Sequence, residues 1–415
     1  MKPRLFVAAI AVAAVSITGC SVSKGSDKAG TNPPAASGTS VGAPASSAAV
    51  DNGPLVFGAA IPLSGVLGSS GNEIKTALEA SAKNINDTGG INGRQVEWKF
   101  EDNGFPSGTQ ASVAVRSLVA DKVLAILNFG TPGVAATYDY LKQQGVLNLI
   151  LFAGLTKFEP LSDTASSIYT DYKAQGAALA DYLNTHYAGK TVAVLYQNDD
   201  LGTSYLNGFK SVTKNKILTD QPYVSSDVDY SSQLNAMKAS GADIAACFCL
   251  SRQMAQVLKF RQSSGWKPAV LTESSNAGQT LIKAVGPELT DNVLSLDFFP
   301  PADGPGASDA MIKMMADLKA TNSSLSATPY TIVAAALSDV LVQTIKAMPG
   351  TVDSKSLAAA VHSSQLKGTW YKTTSSFADS PARSIFSCWK PNIIQSGKIS
   401  TVGDKVTCES DLAAK

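Results

Sequence analysis

The groups in this chain that could do chemistry sit in short turns, not in a catalytic constellation. Six turns follow apolar, strand-like runs: Pro62-Leu63-Ser64-Gly65, Phe129-Gly130-Thr131-Pro132-Gly133, Phe152-Ala153-Gly154-Leu155, Asn198-Asp199-Asp200-Leu201-Gly202, Leu250-Ser251-Arg252 and Thr272-Glu273-Ser274-Ser275. Hydroxyls, backbone N–H groups and helix N-termini at such strand ends hold polar solutes without reacting with them. Their recurrence in register points to one shared cleft. Covalent or acid–base catalysis has little to work with. There is no G-x-S-x-G or H-E-x-x-H, and the two histidines, His186 and His362, lie in polar helical contexts and read as surface residues. Ala188-Gly189-Lys190-Thr191 imitates the end of a phosphate-binding loop. Asn184 stands where that loop needs glycine, however, and the tetrad precedes a strand instead of following one. The chain therefore reads as a binding protein with no cofactor and no metal centre.

Five cysteines are present. Cys388 and Cys408 flank a glycine-containing, hairpin-like segment, a disposition that in an exported protein favours a disulfide. Cys247 and Cys249 lie two apart in Ile244-Ala245-Ala246-Cys247-Phe248-Cys249-Leu250, so on a strand both point to one side. That placement is poor for a mutual disulfide, and they read as small core residues.

Cys20 belongs to the N-terminus. Lys2 and Arg4 precede an apolar stretch from Leu5 to about Val15, short for a bilayer span, which needs roughly 18 residues or more. It ends in Ser16-Ile17-Thr18-Gly19-Cys20, which resembles the lipobox of bacterial lipoproteins, where the cysteine is lipidated and becomes the mature N-terminus. Residues 21–53 are rich in Ser, Ala, Gly and Pro and have too few large apolar side chains to offset the entropy of ordering, so they read as a flexible tether. No other stretch reads as a membrane span. A formal net charge of +1 argues against a polyanion binder, and nucleic acid is not an expected partner.

The elements that must position these turns alternate from Leu55 onward. Strands are expected at 55–61, 96–100, 123–127 and 146–152, with helices from Ile74, near 108–120 and near 133–144. A second series has helices near 173–187, after Gly202, at 231–240 and 253–264, a short helix after Asn276, and strands at 191–196, 244–249, 269–272 and 294–298. This is the pattern of parallel α/β architecture. At 415 residues the chain is long for one core, so two lobes are expected. Helices near 308–320 and 330–347 have no sheet of their own and should return to the first lobe.

Ala60-Ile61-Pro62-Leu63-Ser64-Gly65, Ile85-Asn86-Asp87-Thr88-Gly89-Gly90-Ile91-Asn92-Gly93-Arg94 and Glu101-Asp102-Asn103 resemble the opening of type I periplasmic binding proteins of the leucine/isoleucine/valine-binding family. Ala193 through Gly202 and Leu234 through Asp243 extend the likeness, which covers roughly 54–350 in order. The resemblance implies two doubly wound, Rossmann-like lobes joined by a hinge of three crossings, which closes on a small-molecule ligand. The expected division is a signal peptide at 1–20, a tether at 21–53, one lobe from 54–171 with 300–375, and the other from 172–299 with 376–415. It also implies an extracytoplasmic, lipid-anchored protein that captures a polar or zwitterionic solute for the membrane permease of an ABC importer. The alternative is a surface receptor of the same fold that signals to a membrane sensor.

Family contacts carry over to Leu63, Ser64, Phe129, Gly130, Thr131, Ala153, Gly154, Leu155, Leu201, Leu250, Ser251 and Glu273. Gly154 stands where a threonine is common, Pro132 lies beside Thr131, and Leu201 replaces the usual aromatic, so leucine need not be the ligand. Glu273 falls near the acidic partner of an amino-acid ammonium, and otherwise reads as a solvated cap of the next helix. The anchor makes the first prediction. Cys20→Ser should move the protein out of the membrane fraction while ligand binding is retained, and persistence in that fraction contradicts the lipobox.

Overall fold

Leu55–Ile61 (β1) is buried at all but one position, as expected of a central parallel strand covered by helices on both faces. The structure, a computed structural model, describes residues 53–224, 226–299, 309–363, 365–367, 374–376, 383–403 and 406–413. Cys20 and positions 21–52 of the tether lie outside them. β1 pairs in parallel with Val96–Asp102 (β2) and Ala125–Phe129 (β3), and Leu147–Leu151 (β4) and Ala165–Ser167 (β5) extend a five-stranded sheet ordered β2-β1-β3-β4-β5. Gly68–Asp87 (α1), Gly108–Ala120 (α2) and Thr131–Gln144 (α3) connect its strands. The order reverses beside β1, which opens a crevice between the carboxyl ends of β1 and β3.

A second sheet repeats the plan. Tyr172–His186 (α4) leads into Val192–Gln197 (β6), followed by Asp200–Val212 (α5), Ile217–Tyr223 (β7), Ser231–Ala239 (α6), Ile244–Phe248 (β8), Ser251–Ser263 (α7), Ala269–Thr272 (β9), Gln279–Val285 (α8) and Val293–Asp297 (β10). The strands run in the order β7-β6-β8-β9-β10, so the reversal here lies beside β6. Asp309–Thr321 (α9) and Pro329–Ala347 (α10) then pack along α1, and Ser354–Ser363 (α11) follows. α10 is long and apolar enough to cross a membrane, but 72% of its apolar window is buried inside the protein, and it is a core helix. Gln365–Lys367 (β11) and Thr374–Ser376 (β12) pair with each other. Cys388–Gln395 (β13), Lys398–Thr401 (β14) and Thr407–Cys408 (β15) add antiparallel strands beside β10, and Glu409–Ala413 (α12) ends the described chain.

The sheets are joined where the chain crosses between them. Ser167 and Ile168 accept backbone hydrogen bonds from Ile385 and Phe386, both 2.9 Å, and Thr170 donates back to Phe386. Another crossing leaves β10 through Phe298 and Phe299. Their rings meet those of Tyr169 (4.5 Å from Phe298) and Phe386 (4.8 Å from Phe299). The protein thus has the two doubly wound lobes and three-crossing hinge of the type I periplasmic binding fold.

Several sequence expectations shift. β3 begins at Ala125 and not at 123, because Lys122 turns through a positive φ of 57° and the chain re-enters the sheet only after it. β7 was not anticipated. It is an edge strand carrying Thr219, Asp220, Gln221 and Pro222, so it lacks an apolar run. Cys247 and Cys249 are joined as a disulfide, contrary to expectation. β8 ends at Phe248, and the bend at Cys249 draws the two Cα atoms to 5.3 Å. Cys388 and Cys408 face each other across β13 and β15 and are also bonded. His362 is half-buried and engaged in contacts, not a freely exposed surface residue. Its ring lies 2.8 Å from Ser166 Oγ and 3.0 Å from Arg383 Nη1, and burial, then the Arg383 charge, lower its pKa. His186 is exposed on α4, stacked on Tyr182.

α4 and α5 cross at two glycines. A Cβ at Gly208 would stand 1.8 Å from the Lys173 carbonyl oxygen, and one at Gly176 would stand 2.1 Å from that of Tyr205. Backbone on both sides cannot give way as a side chain can. Gly208→Ala should therefore destabilise the protein by about 1–3 kcal/mol in urea titration. Asn207→Ala, on the exposed face of the same helix, should leave the midpoint almost unchanged.

Candidate solute-binding site

On the first sheet, the turn after β1 is organised by Asp102 at the end of β2. Its carboxylate accepts from the Leu63 N–H (3.0 Å), the Ser64 hydroxyl (2.5 Å) and the Gly104 N–H (3.0 Å). Desolvation opposes ionisation, but these hydrogen bonds hold its pKa below the ordinary carboxylate value. Leu63 and Ser64 therefore sit at the rim with their polar groups engaged, and Ser64 is exposed. Asn103 donates to the carbonyls of Phe129 (3.0 Å) and Ala60 (3.4 Å), tying together the ends of three strands.

Gly130 turns the chain out of β3 with φ 86°, against the Phe105 ring, and donates to the Leu151 carbonyl at 2.9 Å. Thr131 Oγ1 accepts the Gly154 N–H at 3.0 Å, so the turns after β3 and β4 are locked to one another. Phe152 leaves β4 with φ 52°, a conformation non-glycine residues rarely adopt, and its ring lies 5.7 Å from Phe129 and 5.6 Å from Tyr330. Ala153 and Leu155 turn their side chains into a buried cluster with Val134 and Tyr138. Gly154 is the member of that turn that meets the second sheet. A Cβ on it would stand 1.5 Å from Asp200 Oδ2.

On the second sheet, Asp199 caps α5 by accepting the N–H groups of Leu201 (3.0 Å) and Gly202 (3.3 Å). Leu201 is half-buried behind this cap. Leu250 donates its N–H to the Tyr223 hydroxyl at 3.3 Å, and Ser251 Oγ donates to Asn276 Oδ1 at 2.8 Å. Glu273 is 7% exposed and accepts the Ser275 N–H at 2.8 Å together with the Ser275 hydroxyl. It caps the short turn Ser274–Asn276, as one of its two sequence readings has it, but it is buried and not solvated. Burial pushes its carboxyl up to about 7, with the Ser275 hydrogen bonds opposing. Asp297 at the end of β10 also rises to about 7 through burial, opposed by Asn392 and Ser295. It borders a small pocket against the hinge, lined also by Tyr169, Phe298, Phe299 and Pro329.

Two helices contribute residues that the turn pattern did not reveal. Tyr172 opens α4 and is 5% exposed; burial, then the charges of Glu273, Asp199 and Asp200, push its phenol well above the usual value. Tyr330 opens α10 and is pushed to about 12 by burial, with hydrogen bonds to Ser70 and Ser275 working the other way. Both sit next to crossings between the sheets, so no local pattern announces them.

The carboxyl ends of the parallel strands in the two sheets face each other across the hinge. Residues 54–382 match the family model described as periplasmic binding protein. The chain belongs to that family. Its relatives are described as binding proteins. Leu/Ile/Val-binding protein homolog 3 of Brucella melitensis is 28% identical to this periplasmic binding protein over 323 residues, 74% of this chain and 83% of that one. A structure of the branched-chain amino acid transporter substrate binding protein LivJ from Streptococcus pneumoniae, in complex with isoleucine, superposes with a TM-score of 0.72 at 18% identity. It covers 84% of this chain and 99% of LivJ. A solute binding protein from R. palustris in complex with 4-hydroxybenzoate gives a TM-score of 0.74 at 18% identity, covering 86% and 98%. At these identities the two structures speak for the fold.

Glu273 gives this periplasmic binding protein a pH-dependent stability. Around it stand Tyr169, Tyr172, Tyr205, Tyr223 and Tyr330, with Asp297 on the hinge side, and it acts on each of them. Its pKa rises on folding, so the fold favours the protonated acid: that contribution is complete below about pH 4.5 and is lost as pH rises through about 7. Ligand-free Glu273→Gln should therefore melt with wild type at pH 4.5 and above it at pH 8. A shallower slope from Asp297 should remain in the variant. Identical melting curves at pH 8 contradict this account.

Proposed function

We propose that this periplasmic binding protein captures a small polar solute outside the cytoplasm by closing two lobes, and delivers it to the membrane permease of an ABC importer while a lipid on Cys20 holds it at the membrane. The lobes are residues 54–171 with 300–375 and 172–299 with 376–415. The observation that carries this reading is the meeting of the two carboxyl edges: Gly154 and Thr131 from one sheet stand against Asp200 from the other, with Tyr172 and Glu273 beside them. Thr156 Oγ1 and Ser204 Oγ, 3.5 Å apart, make a second contact between the edges. Such contacts exist only when the lobes are together, so a solute that prefers the closed arrangement shifts the population toward it. Relatives described as binding isoleucine or 4-hydroxybenzoate show that this fold holds solutes of this size.

A thermal-shift screen of amino acids, amides, small aromatic acids and amines tests the reading. A true ligand at a hundred times its Kd should stabilise the protein by about 2.7 kcal/mol. Small-angle scattering with that ligand should then show a smaller radius of gyration. No melting shift with any compound, or a shift without compaction, contradicts capture by closure.

A further inference from the structure

We propose that the solute is a small organic cation bearing an amine, with no carboxylate on the adjoining carbon, seated between Tyr172, Asp200 and Glu273. This rests on the solute-capture reading and specifies its ligand class. Three observations carry it.

The first is charge. Asp199, Asp200 and Glu273 all act on the Tyr172 phenol, so three carboxylates converge on one point of the cleft. The charges that act most on Tyr172, Tyr205 and Asp200 are carboxylates, Asp171 among them. Asp199 spends its oxygens on Gln197 and on the N-terminus of α5. Asp200 has one long hydrogen bond, 3.4 Å from the Ser204 hydroxyl. A desolvated carboxylate without a counter-charge is costly, and a cationic ligand supplies that counter-charge.

The second is an open hydroxyl. Tyr172 is 5% exposed, and no hydrogen-bond partner for its phenol is present among the described residues. The ring is packed away while the hydroxyl is not among the sealed, unpartnered polar atoms, so it can meet a ligand in the cleft.

The third observation concerns the place where the family resemblance implies an amino-acid carboxylate. Anion binding there needs free donors on the first sheet. The Gly154 N–H already donates to Thr131 Oγ1 at 3.0 Å, the Gly130 N–H donates to Leu151 at 2.9 Å, and Pro132 has no N–H, so the donors left there are the Thr131 and Gly133 N–H groups at the head of α3. Because position 154 has no side chain, Asp200 Oδ2 occupies the space where one would stand. A ligand carboxylate at this point meets the Asp200 carboxylate, and like charges repel.

Pairs of compounds that differ only by the carboxylate test the proposal on the whole protein. Leucine with 3-methylbutylamine, phenylalanine with 2-phenylethylamine, arginine with agmatine and lysine with cadaverine are compared by thermal shift and calorimetry, beside amides and aromatic acids. At least one amine should bind at least tenfold tighter than its parent amino acid. Asp200→Asn should weaken that amine at least tenfold and narrow the difference within the pair. Calorimetry in buffers of different ionisation enthalpy needs no variant; at pH 7 it should show net proton release, as the cation draws Glu273 into its ionised form. Preference for the amino acids, or for amides or aromatic acids, overturns the cation proposal and leaves solute capture standing. Equal affinity within every pair, or an unaltered amine affinity in Asp200→Asn, also overturns it. No binding in any series overturns both readings.

Discussion

Ser167, Ile168 and Thr170 are held to Ile385 and Phe386 by backbone hydrogen bonds, although more than 200 residues of chain separate them, Thr170 and Phe386 being 216 apart. This pairing, with the rings of Tyr169, Phe298, Phe299 and Phe386 gathered on it, keeps the carboxyl edges of the two sheets opposite each other. Every distance at the site depends on it. Gly154 meets Asp200 because β4 and α5 approach from sheets that only the crossings connect. Few backbone segments join the lobes, so rotation about them changes the cleft while each sheet stays intact.

Within that frame, the site is an electrostatic compromise. The first sheet uses its polar groups to fix its own turns: Asp102 organises the loop after β1, and Thr131 and Gly154 bond to each other. The second sheet concentrates acid. Burial raises the Glu273 carboxyl to about 7, and it acts in turn on the phenols of Tyr172, Tyr205 and Tyr330. Such a group is poised to change its ionisation when the charge around it changes.

Rigidity is placed around this compromise. The Cys388–Cys408 bond closes the antiparallel strands beside β10, and the Cys247–Cys249 bond sits under the turn that presents Leu250 and Ser251. Asn276 donates to the Cys249 carbonyl and accepts from Ser251, linking that turn to the one after β9. Gly176 and Gly208 let α4 and α5 approach at backbone distance, so the helix bearing Tyr172 and the helix headed by Asp200 move as one body.

Local periodicity made most strands and helices legible in the sequence. Leu55–Ile61 was readable to the residue and the helix Gly108–Ala120 closely, since an apolar run flanked by breakers, or an apolar face at helical spacing, carries its own address. The turns holding Thr131, Gly154, Leu201, Ser251 and Glu273 were visible for the same reason, because strand ends follow from strands. Edge strand β7 was hidden, since partial exposure removes the apolar signal. The placement of Tyr172, Tyr330 and Asp200, the partial burial of His362 among Ser166 and Arg383, and the Cys247–Cys249 bond were decided by tertiary structure alone. Each depends on a contact between distant segments or on a bend set by packing. A sequence determines what every residue can offer; which charge a side chain faces, and whether water remains beside it, is settled only when distant segments meet.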